Sequence, residues 1–484
     1  MSQVSDARRS IESSRRFTLA MLALAVIVGA YLRCTGLGGR EMSADEGASW
    51  AAASEPTIGE VLRAQNRLNP GKAGLHDVAL HLWLLAFGDG LAAMRALSAV
   101  VGTIAILLVF GASREIFAVS GEAIGGAGPA VDERDEAAAA AALIFAVNLI
   151  TIKYSREVRM YPFVVAAVVA QTWCFFRALR RGEIAAYAGV AVFTAMALAA
   201  HLTAVLAFGS EGVWIAYLMA RNRFDFSVRE SRRALMLAIA LAAGAAILAP
   251  LAPTVIGAAA QAADRGAIDW IKRPEPWAPL TLFNKATGSF AFPVMTALAA
   301  WAVVRGWRRW CDGISFALLW MWTPTLLLLF VSYAIRPAFV ERYLLPCFVP
   351  FFILIAIGIL ELPARTARIS AVVLIAALAI GHVIAWNRKP HDVQWSEAVR
   401  IAAASPESRG TLAVAPGFAV SVVRYYLADR SLAKVAHPAA ANGDDPAGVA
   451  LVADQGVAPA SVAALETEYP RVLAHLRGVV VRGR

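Results

Sequence analysis

Residues 17–32 have the sequence FTLAMLALAVIVGAYL, an apolar run without a charged side chain. As a helix rising about 1.5 Å per residue, it is close to the length that crosses a hydrocarbon layer of about 30 Å. Four arginines between residues 8 and 16 precede it, as in a signal peptide. No small-x-small cleavage site follows, and Arg33 precedes Cys34 where a lipoprotein signal needs a small residue. We therefore predict an uncleaved first membrane helix.

Similar apolar runs recur along the whole chain. Of its 484 residues, 59% are hydrophobic and 17% charged, whereas soluble domains are about 45–50% apolar and about 25% charged. This composition excludes a soluble enzyme. The net charge of +10 comes from residues lying mostly between apolar runs, so nucleic acid is not an expected partner. We predict eleven membrane helices, the first one above and ten near 91–113, 137–152, 162–178, 184–199, 202–220, 234–253, 289–304, 314–332, 343–360 and 369–386.

The distribution of basic residues predicts the topology. Segments that are cytoplasmic when the N-terminus is inside are richer in Lys and Arg than the alternate segments. The prediction is a multi-pass protein of the cytoplasmic (inner) membrane, with residues 1–386 as an all-α membrane domain. Residues 387–484 combine strand-like runs with a helix-like SVVRYYLA from residue 421, which predicts a small extracytoplasmic α/β domain.

Two predicted outside loops are long. The first, residues 34–90, has amphipathic stretches over Glu46–Gln65 and Leu75–Phe87 that suit helices lying in the membrane interface. The second, residues 254–288, contains three prolines, which favour an irregular loop.

Carboxylates next to the predicted helix ends are candidates for chemistry. Asp45 and Glu46 lie in the first outside loop, and Glu157 lies in a short turn before the fourth helix. Such a group can act as a general base or hold a divalent cation. Alternatively, Asp45 only complements the dipole at a helix N-terminus, and Glu157 only pairs with Arg156 or Arg159.

Four segments, in this order, carry a resemblance to a known family: SADEGASW (43–50), HLWLLAFGDGLAAMRALSAVVGTIAILLVF (81–110), YSREVRMYPF (154–163) and ERYLLPCFVP (341–350). Together they resemble the bacterial branch of the dolichyl-phosphate-mannose protein mannosyltransferase family. Lipid A aminoarabinose transferases and core sugar transferases are similar members of the same C-type glycosyltransferase superfamily. The resemblance covers roughly residues 15–390. Relatives often have a His-Pro-Pro-Leu-Tyr-Tyr-like stretch where this chain has KAGLHD at 72–77, which leaves donor and acceptor specificity open.

The resemblance implies a C-type glycosyltransferase fold and transfer of a sugar from a polyprenyl-phosphate donor to a lipid, glycan or protein outside the cytoplasm. It maps the catalytic aspartate onto Asp45, with Glu46 supporting the loop or acceptor, and a second carboxylate onto Glu157. A phosphate leaves without protonation, so one base and an inverting displacement are expected. No cofactor is required with certainty. If a divalent cation takes part, Asp45 and Glu157 are its candidate ligands.

Basic and aromatic residues on the predicted outside face complete the candidate site. Arginine holds a phosphate in a fork and lysine acts as a point charge; the candidate donor-phosphate ligands are Lys72, Arg159, Arg336 and Arg342. Further candidate substrate contacts are His201, Tyr154, Tyr161 and Tyr343. Each of these residues also has a non-catalytic alternative. Arg336 and Arg342 anchor the chain at the membrane interface or pair with Glu341, and Lys72 reaches lipid headgroups. His201 has a structural role only.

Two other functions fit parts of the sequence. A transporter or flippase for lipid-linked saccharides would use the same charged groups without bond making, and predicts polar groups at mid-membrane depth and duplicated halves. Only Glu211 lies inside an apolar run, and no internal repeat is visible. A non-catalytic scaffold with a partner-binding tail would leave the four ordered segments unexplained.

Overall fold

The computed structural model describes residues 2–119, 128–264, 270–389, 393–408, 412–427, 433–435, 448–453 and 459–483. The chain forms two compact units. Unit 1 comprises Met1–Thr35, Gly71–Leu75 and Ala96–Arg388, and unit 2 comprises Gly36–Pro70, His76–Arg95 and Lys389–Arg484. The first outside loop therefore clusters largely with the C-terminal residues. The boundary between residues 386 and 387 stays a prediction.

Helices make up nearly all of unit 1. In chain order its principal helices are α1 (Ser2–Cys34), α5 (Leu91–Val119, which begins in unit 2), α6 (Val131–Val147), α7 (Leu149–Ser155), α8 (Tyr161–Arg181), α9 (Ile184–Ala200), α10 (Val205–Arg221), α11 (Arg229–Ile247), α12 (Ala252–Asp264), α13 (Ala278–Thr287), α14 (Ala291–Ala334), α15 (Phe348–Leu360) and α16 (Arg365–Arg388). A 3₁₀ helix over Glu341–Cys347 leads into α15.

The described residues contain seven helices long and apolar enough to cross a membrane, or up to nine when the bent pairs α6/α7 and α11/α12 each count as one span. The predicted segment 184–199 corresponds to α9, which at 17 residues is just shorter. The segments 289–304 and 314–332 both lie in α14, on either side of a non-helical Trp310. All eleven predicted segments are thus helical, and the chain is a multi-pass membrane protein.

Two local predictions are wrong. The expected break over 305–309 is helical, because its Arg and Trp residues are compatible with a helix and only Trp310 departs from helical geometry. The loop expected to be irregular contains α12 and α13, since Pro279 occupies the first turn of α13, where no N–H partner is needed. The amphipathic stretch Glu46–Gln65 is helical as expected, in two helices, α2 (Ala44–Ala53) and α3 (Ile58–Leu68).

The bend between α6 and α7 has a local cause in the sequence. Asn148 has an extended ψ of 134°, and its side chain accepts a hydrogen bond from the Ile150 N–H, which starts a new helix. The last carbonyls of α6 need other donors. The buried guanidinium of Arg33 supplies them, with Nη1 donating to Ala146 O at 2.7 Å. The two helices meet at 59°.

Helix α15 forms the centre of the unit 1 core. Its sequence, FVPFFILIAIGIL, is apolar on every side, and all 13 residues are buried, as expected for a helix surrounded by others. Phe352 packs edge-on against Phe145 of α6, and Phe348 against Phe283 of α13.

Unit 2 combines helices of the first loop with a small mixed sheet. Its helices are α2, α3, α4 (Leu75–Phe87, from its second residue), α17 (Trp395–Ala404), α18 (Val420–Tyr426) and α19 (Pro459–Glu468), and its strands are β1 (Leu412–Ala415), β2 (Ala433–Val435), β3 (Val449–Ala453), β4 (Arg471–Leu476) and β5 (Val479–Gly483). The strand order is β2-β1-β3-β5-β4. The first three strands are mutually parallel, and β5 is antiparallel to both β3 and β4. The predicted small C-terminal α/β domain is confirmed.

Helix α2 packs directly on α18 within unit 2. The Met42 N–H donates to the Tyr426 hydroxyl oxygen at 2.9 Å, and Trp50 meets Tyr425 edge-on at 5.3 Å between ring centroids. Gly47 faces the α18 backbone so closely that a Cβ added there would lie 2.8 Å from the Val422 nitrogen. This close approach explains the glycine.

We expect Gly47→Ala to lower the unfolding free energy of unit 2 by about 1–3 kcal/mol, because the methyl group meets backbone that a rotamer change cannot move aside. Thermal unfolding in detergent measures the effect. Gly59→Ala is the matched control, since its new Cβ would meet only the flexible end of Arg63 at 3.8 Å. Equal melting temperatures for the two variants would contradict this packing.

Candidate functional site

The two adjacent carboxylates of unit 2 have different environments. Both lie in the first turn of α2 after the N-cap Ser43. Asp45 is exposed, whereas Glu46 is buried. Glu46 also completes a capping box, because its carboxylate accepts from the Ser43 N–H while the Ser43 hydroxyl oxygen accepts from the Glu46 N–H. Asp45 is therefore the member of the pair that presents its carboxylate to solvent.

Arg95, which the sequence analysis did not single out, holds Glu46 in place. Its Nε and Nη2 donate to the two carboxylate oxygens at 2.8 and 2.9 Å. The remaining N–H groups donate to main-chain carbonyls of Leu37, Arg40 and Glu41 at 2.7 to 3.0 Å. Only 5% and 2% of the two side chains are exposed. The Glu46 carboxylate thus stabilises the loop through its bonds to Arg95 and Ser43.

In unit 1, a short segment around Lys72 lies against the corner between α9 and α10. The Ala73 N–H donates to Ala199 O, and the Leu202 N–H donates to Gly71 O, both at 3.0 Å. Gly71 has φ +93°, a conformation that glycine adopts without strain. Lys72 is fully buried between these two bonds.

His201 lies at this corner as a neutral base. Its Nδ1 accepts a hydrogen bond from the Thr203 N–H at 3.2 Å, so the neutral ring carries its proton on Nε2. Burial, together with the positive charges of Lys72, Arg159 and Arg342, lowers the pKa of His201 to about 3. Three of the four predicted phosphate ligands are therefore near enough to His201 for their charges to act on it; we call Lys72, Arg159, Arg342 and His201 the cation cluster.

Two predicted aromatic contacts line the cation cluster. The Tyr343 ring lies 5.3 Å from the His201 ring, and the Tyr161 ring 6.4 Å from it, between centroids. The Arg159 guanidinium lies over Tyr161 at 5.6 Å. Arg342 lies over Trp270 at 5.1 Å. The guanidinium planes are thus held by ring faces.

Glu341 forms a neighbouring polar group with α7. Its Oε1 accepts from the Tyr154 hydroxyl at 2.7 Å and from Lys153 Nζ at 3.0 Å. The Tyr154 ring meets Tyr161 edge-on at 5.1 Å. The Glu341 partner is thus a lysine 188 residues away and not Arg336 or Arg342, the two partners proposed from sequence.

Arg336 is separate from the cation cluster. Its side chain is half-buried, and it is not among the charges that act on His201. Within the described ranges no hydrogen bond or ion pair to the Arg336 guanidinium is formed. Its role as a phosphate ligand stays a prediction without geometric support.

Glu157 is half-buried in the turn between α7 and α8. Its main-chain oxygen accepts from the Arg159 N–H at 2.8 Å, which orients the turn. In the part of the chain that the structure describes, no three His, Cys, Asp or Glu side chains come together as a metal-binding group. The role of Asp45 and Glu157 as cation ligands stays a prediction.

Glu211, the polar group relevant to a transporter, has neutral partners. It is buried in α10 and accepts from Gln171 Nε2 at 2.7 Å and from the Thr172 hydroxyl at 3.3 Å, both on α8. Such a bond between two helices suits a structural contact in the membrane.

The neutral state of His201 makes folding sensitive to acid. Because its folded pKa lies below the unfolded value of 6.5, the unfolded state takes up the proton first, and stability falls as the pH drops below about 6.5. We expect this one group to cost about 2 kcal/mol at pH 5 relative to pH 8. His201→Gln should therefore gain in melting temperature relative to wild type as the pH falls from 8 to 5. A constant difference between the two proteins across this range would contradict the assignment.

No protein-family model matches the chain, and no curated protein matches it by sequence. Solved structures do match its fold. ArnT from Cupriavidus metallidurans in the apo state aligns with a TM-score of 0.63 over 97% of this chain and 98% of its own, at 14% identity. The same protein bound to undecaprenyl phosphate aligns with a TM-score of 0.57 over 96% and 97%, also at 14% identity.

An oligosaccharyltransferase from Archaeoglobus fulgidus, tethered to an acceptor peptide with an NVT sequon, gives a TM-score of 0.53 over 84% of this chain and 63% of its own, at 12% identity. At these low sequence identities the comparisons show similarity of fold alone. The chain has the C-type glycosyltransferase fold, an all-α membrane region with a small α/β region at its C-terminus.

Proposed function

We propose that the protein is an integral membrane glycosyltransferase that uses a polyprenyl-phosphate-linked sugar as donor. The observation that carries the proposal is the cation cluster: the Lys72 segment bonds to the α9–α10 corner at His201, and the Tyr161 ring next to Arg159 and the Tyr343 ring next to Arg342 flank that imidazole. Arginine forks and lysine point charges are the groups that bind phosphate in proteins. ArnT, whose fold is similar, has been solved bound to undecaprenyl phosphate.

Each member of the cation cluster has a defined role in this proposal. The arginines offer forked N–H donors and Lys72 a compact charge to the phosphate oxygens. The neutral His201 adds one donor, Nε2–H. In the transition state the bond between the anomeric carbon and the phosphate oxygen breaks, and negative charge grows on the phosphate. Fixed donors stabilise that charge and accelerate the reaction.

We assign the general base to Asp45. An acceptor hydroxyl gives its proton to the carboxylate while its oxygen forms the new bond to the anomeric carbon, and the donor leaves as polyprenyl phosphate. One displacement inverts the anomeric configuration. Two observations support this choice. Asp45 is exposed, whereas the Glu46 carboxylate is already bonded to Arg95. Glu157 would position the acceptor or a divalent cation.

The remaining features of the proposal follow the sequence analysis. The acceptor is a lipid, glycan or protein at the outer face of the cytoplasmic membrane, and the transferred group is a hexosyl or pentosyl unit, with mannose or a sugar of lipopolysaccharide among the candidates. Residues 1–386 are the catalytic membrane domain with a cytoplasmic N-terminus, and residues 387–484 are extracytoplasmic.

Release of free polyprenyl phosphate tests the proposal. Purified protein is incubated with a panel of polyprenyl-phosphate sugars and with membrane lipid, glycan and protein acceptors, and products are followed by mass spectrometry. We expect consumption of one donor and a matching mass gain in one acceptor. Donor binding without consumption across all acceptors would favour the flippase alternative instead.

We expect Lys72→Gln to weaken donor binding by about 10- to 100-fold, because one charge-assisted hydrogen bond contributes about 1.5–3 kcal/mol. Lys272→Gln is the matched control, because this substitution removes the same charge from an exposed position. If the two variants bound the donor equally, the cation cluster would not be the phosphate site.

A further inference from the structure

A large groove opens in unit 1 among α1, α6, α15 and α16. It has a volume of about 860 Å³ and is lined by both apolar and ionisable residues. None of them belongs to the cation cluster. The ionisable lining residues come from two short segments, the start of α6 and the start of α16: Asp132, Glu133, Glu136, Arg365 and Arg368.

The polar and apolar lining residues are segregated along the helices. On α1 the lining runs from Ser14 to Leu24, a span of about 15 Å along the helix. On α6 it runs from Asp132 to Leu143, about the same length. All the charged residues lie at one end of these stretches. The groove is therefore about as deep as one leaflet, half of a hydrocarbon layer of about 30 Å.

The polar end of the groove offers both signs of charge. Arg365 lies over the Phe17 ring at 5.4 Å, and Arg368 Nε donates to Leu362 O at 3.0 Å. Asp132 is exposed, and Glu136 accepts a hydrogen bond from the Ser14 hydroxyl at 3.1 Å. Two arginines fit a phosphodiester, and the neighbouring carboxylates fit an ammonium group. Carboxylates at the mouth disfavour a headgroup that carries only negative charge.

We propose that this groove binds one zwitterionic glycerophospholipid whose phosphate is joined to a primary ammonium, as in phosphatidylethanolamine. Arg365 and Arg368 hold the phosphate, and Asp132 and Glu136 hold the ammonium. One acyl chain lies along the apolar wall formed by α1, α6 and α16. Binding of this membrane lipid does not depend on the proposed transferase activity.

Native mass spectrometry of the delipidated full-length protein tests this site. The protein is mixed with equal amounts of phosphatidylethanolamine and phosphatidylglycerol carrying the same acyl chains, and the bound lipid is counted. We expect phosphatidylethanolamine to exceed phosphatidylglycerol by about tenfold on the wild type, equivalent to about 1.4 kcal/mol. Equal binding of the two lipids, or preference for phosphatidylglycerol or added polyprenyl phosphate, would overturn the proposal.

Two kinds of variant locate the effect in the groove. The double variant Arg365→Gln/Arg368→Gln should lose the preference, whereas Arg305→Gln/Arg308→Gln, two exposed arginines that do not line the groove, should keep it. Ala20→Trp should lower lipid occupancy by filling the groove from an exposed position of α1, and Ala23→Trp, exposed on the same helix outside the lining, should not. Unchanged occupancy and preference in both groove variants would refute the site.

Discussion

Asp45→Asn is expected to lower turnover by about 10²- to 10⁴-fold, the contribution of a well-placed general base. The amide cannot accept the proton of the acceptor hydroxyl, whereas its size and its position in the first turn of α2 remain. Donor binding should be unchanged. Stability should change by no more than about 1 kcal/mol, the contribution of one charge at an exposed helix terminus. Polyprenyl phosphate release under single-turnover conditions, with donor binding measured separately, checks both expectations.

The neighbouring helix provides a control for Asp45. Glu60 lies in the first turn of α3, is partly exposed and belongs to the same loop. Glu60→Gln removes the same charge from the first turn of a helix. Because Glu60 has no role in the proposed reaction, turnover should stay within about twofold of wild type. Wild-type turnover in Asp45→Asn would end the base assignment. Equal losses in both variants would point to an effect of loop charge instead.

Arg95→Gln is expected to lower the unfolding free energy of unit 2 by about 3–5 kcal/mol, since it leaves a buried carboxylate without its partner. The Glu46 carboxylate loses two charge-assisted bonds, and main-chain carbonyls of residues 37, 40 and 41 lose their donors. Thermal unfolding and limited proteolysis of the first loop measure the loss. Cleavage within residues 36–46 should appear at temperatures where the wild type resists the protease.

An exposed ion pair in the same unit provides the comparison. Arg400 pairs with Glu397 three residues earlier, and their side chains are 69% and 39% exposed. Arg400→Gln should change stability by at most about 1 kcal/mol. The double variant Arg95→Met/Glu46→Met should recover part of the loss, because an apolar pair leaves no unpaired charge. Equal melting temperatures for Arg95→Gln and Arg400→Gln would mean that the buried ion pair contributes no more to stability than the exposed one.

Hydropathy predicted the helical segments of the membrane region well. Apolar runs must be helical in a membrane, because no water is present to bond their backbone groups. This rule is local, so all eleven segments could be located from sequence. Strands β1, β3 and β5 were also visible in the sequence as short apolar runs, such as VALVA from residue 449, whereas β2 and β4 were not predicted.

The breaks within helices were less visible. Asn148 interrupts an apolar stretch without a proline, by capping α7 with its own side chain. Trp310 bends α14 although its neighbours are helical. Neither change alters hydropathy or periodicity, because both depend on how adjacent helices pack.

The candidate site was predicted in part. Residue type and the predicted outside face proposed Lys72, Arg159 and Arg342 as phosphate ligands and His201 as a substrate contact, and the three cations lie near enough to His201 for their charges to act on it. Their roles in binding a donor stay predictions. Arg336 was proposed by the same reasoning, yet it is not among the charges that act on His201. The charge of a residue and its predicted side of the membrane do not specify where its side chain lies.

The sequence by itself determined the class of fold, the helical segments and the residue types able to hold a phosphate, because these follow from local composition and spacing. Only the tertiary structure decided the pairings: Arg95 with Glu46, Lys153 and Tyr154 with Glu341, and α2 with α18. The members of these pairs are 49 to 384 residues apart. Such contacts depend on how the helices pack, and no local pattern of charge or hydropathy records that.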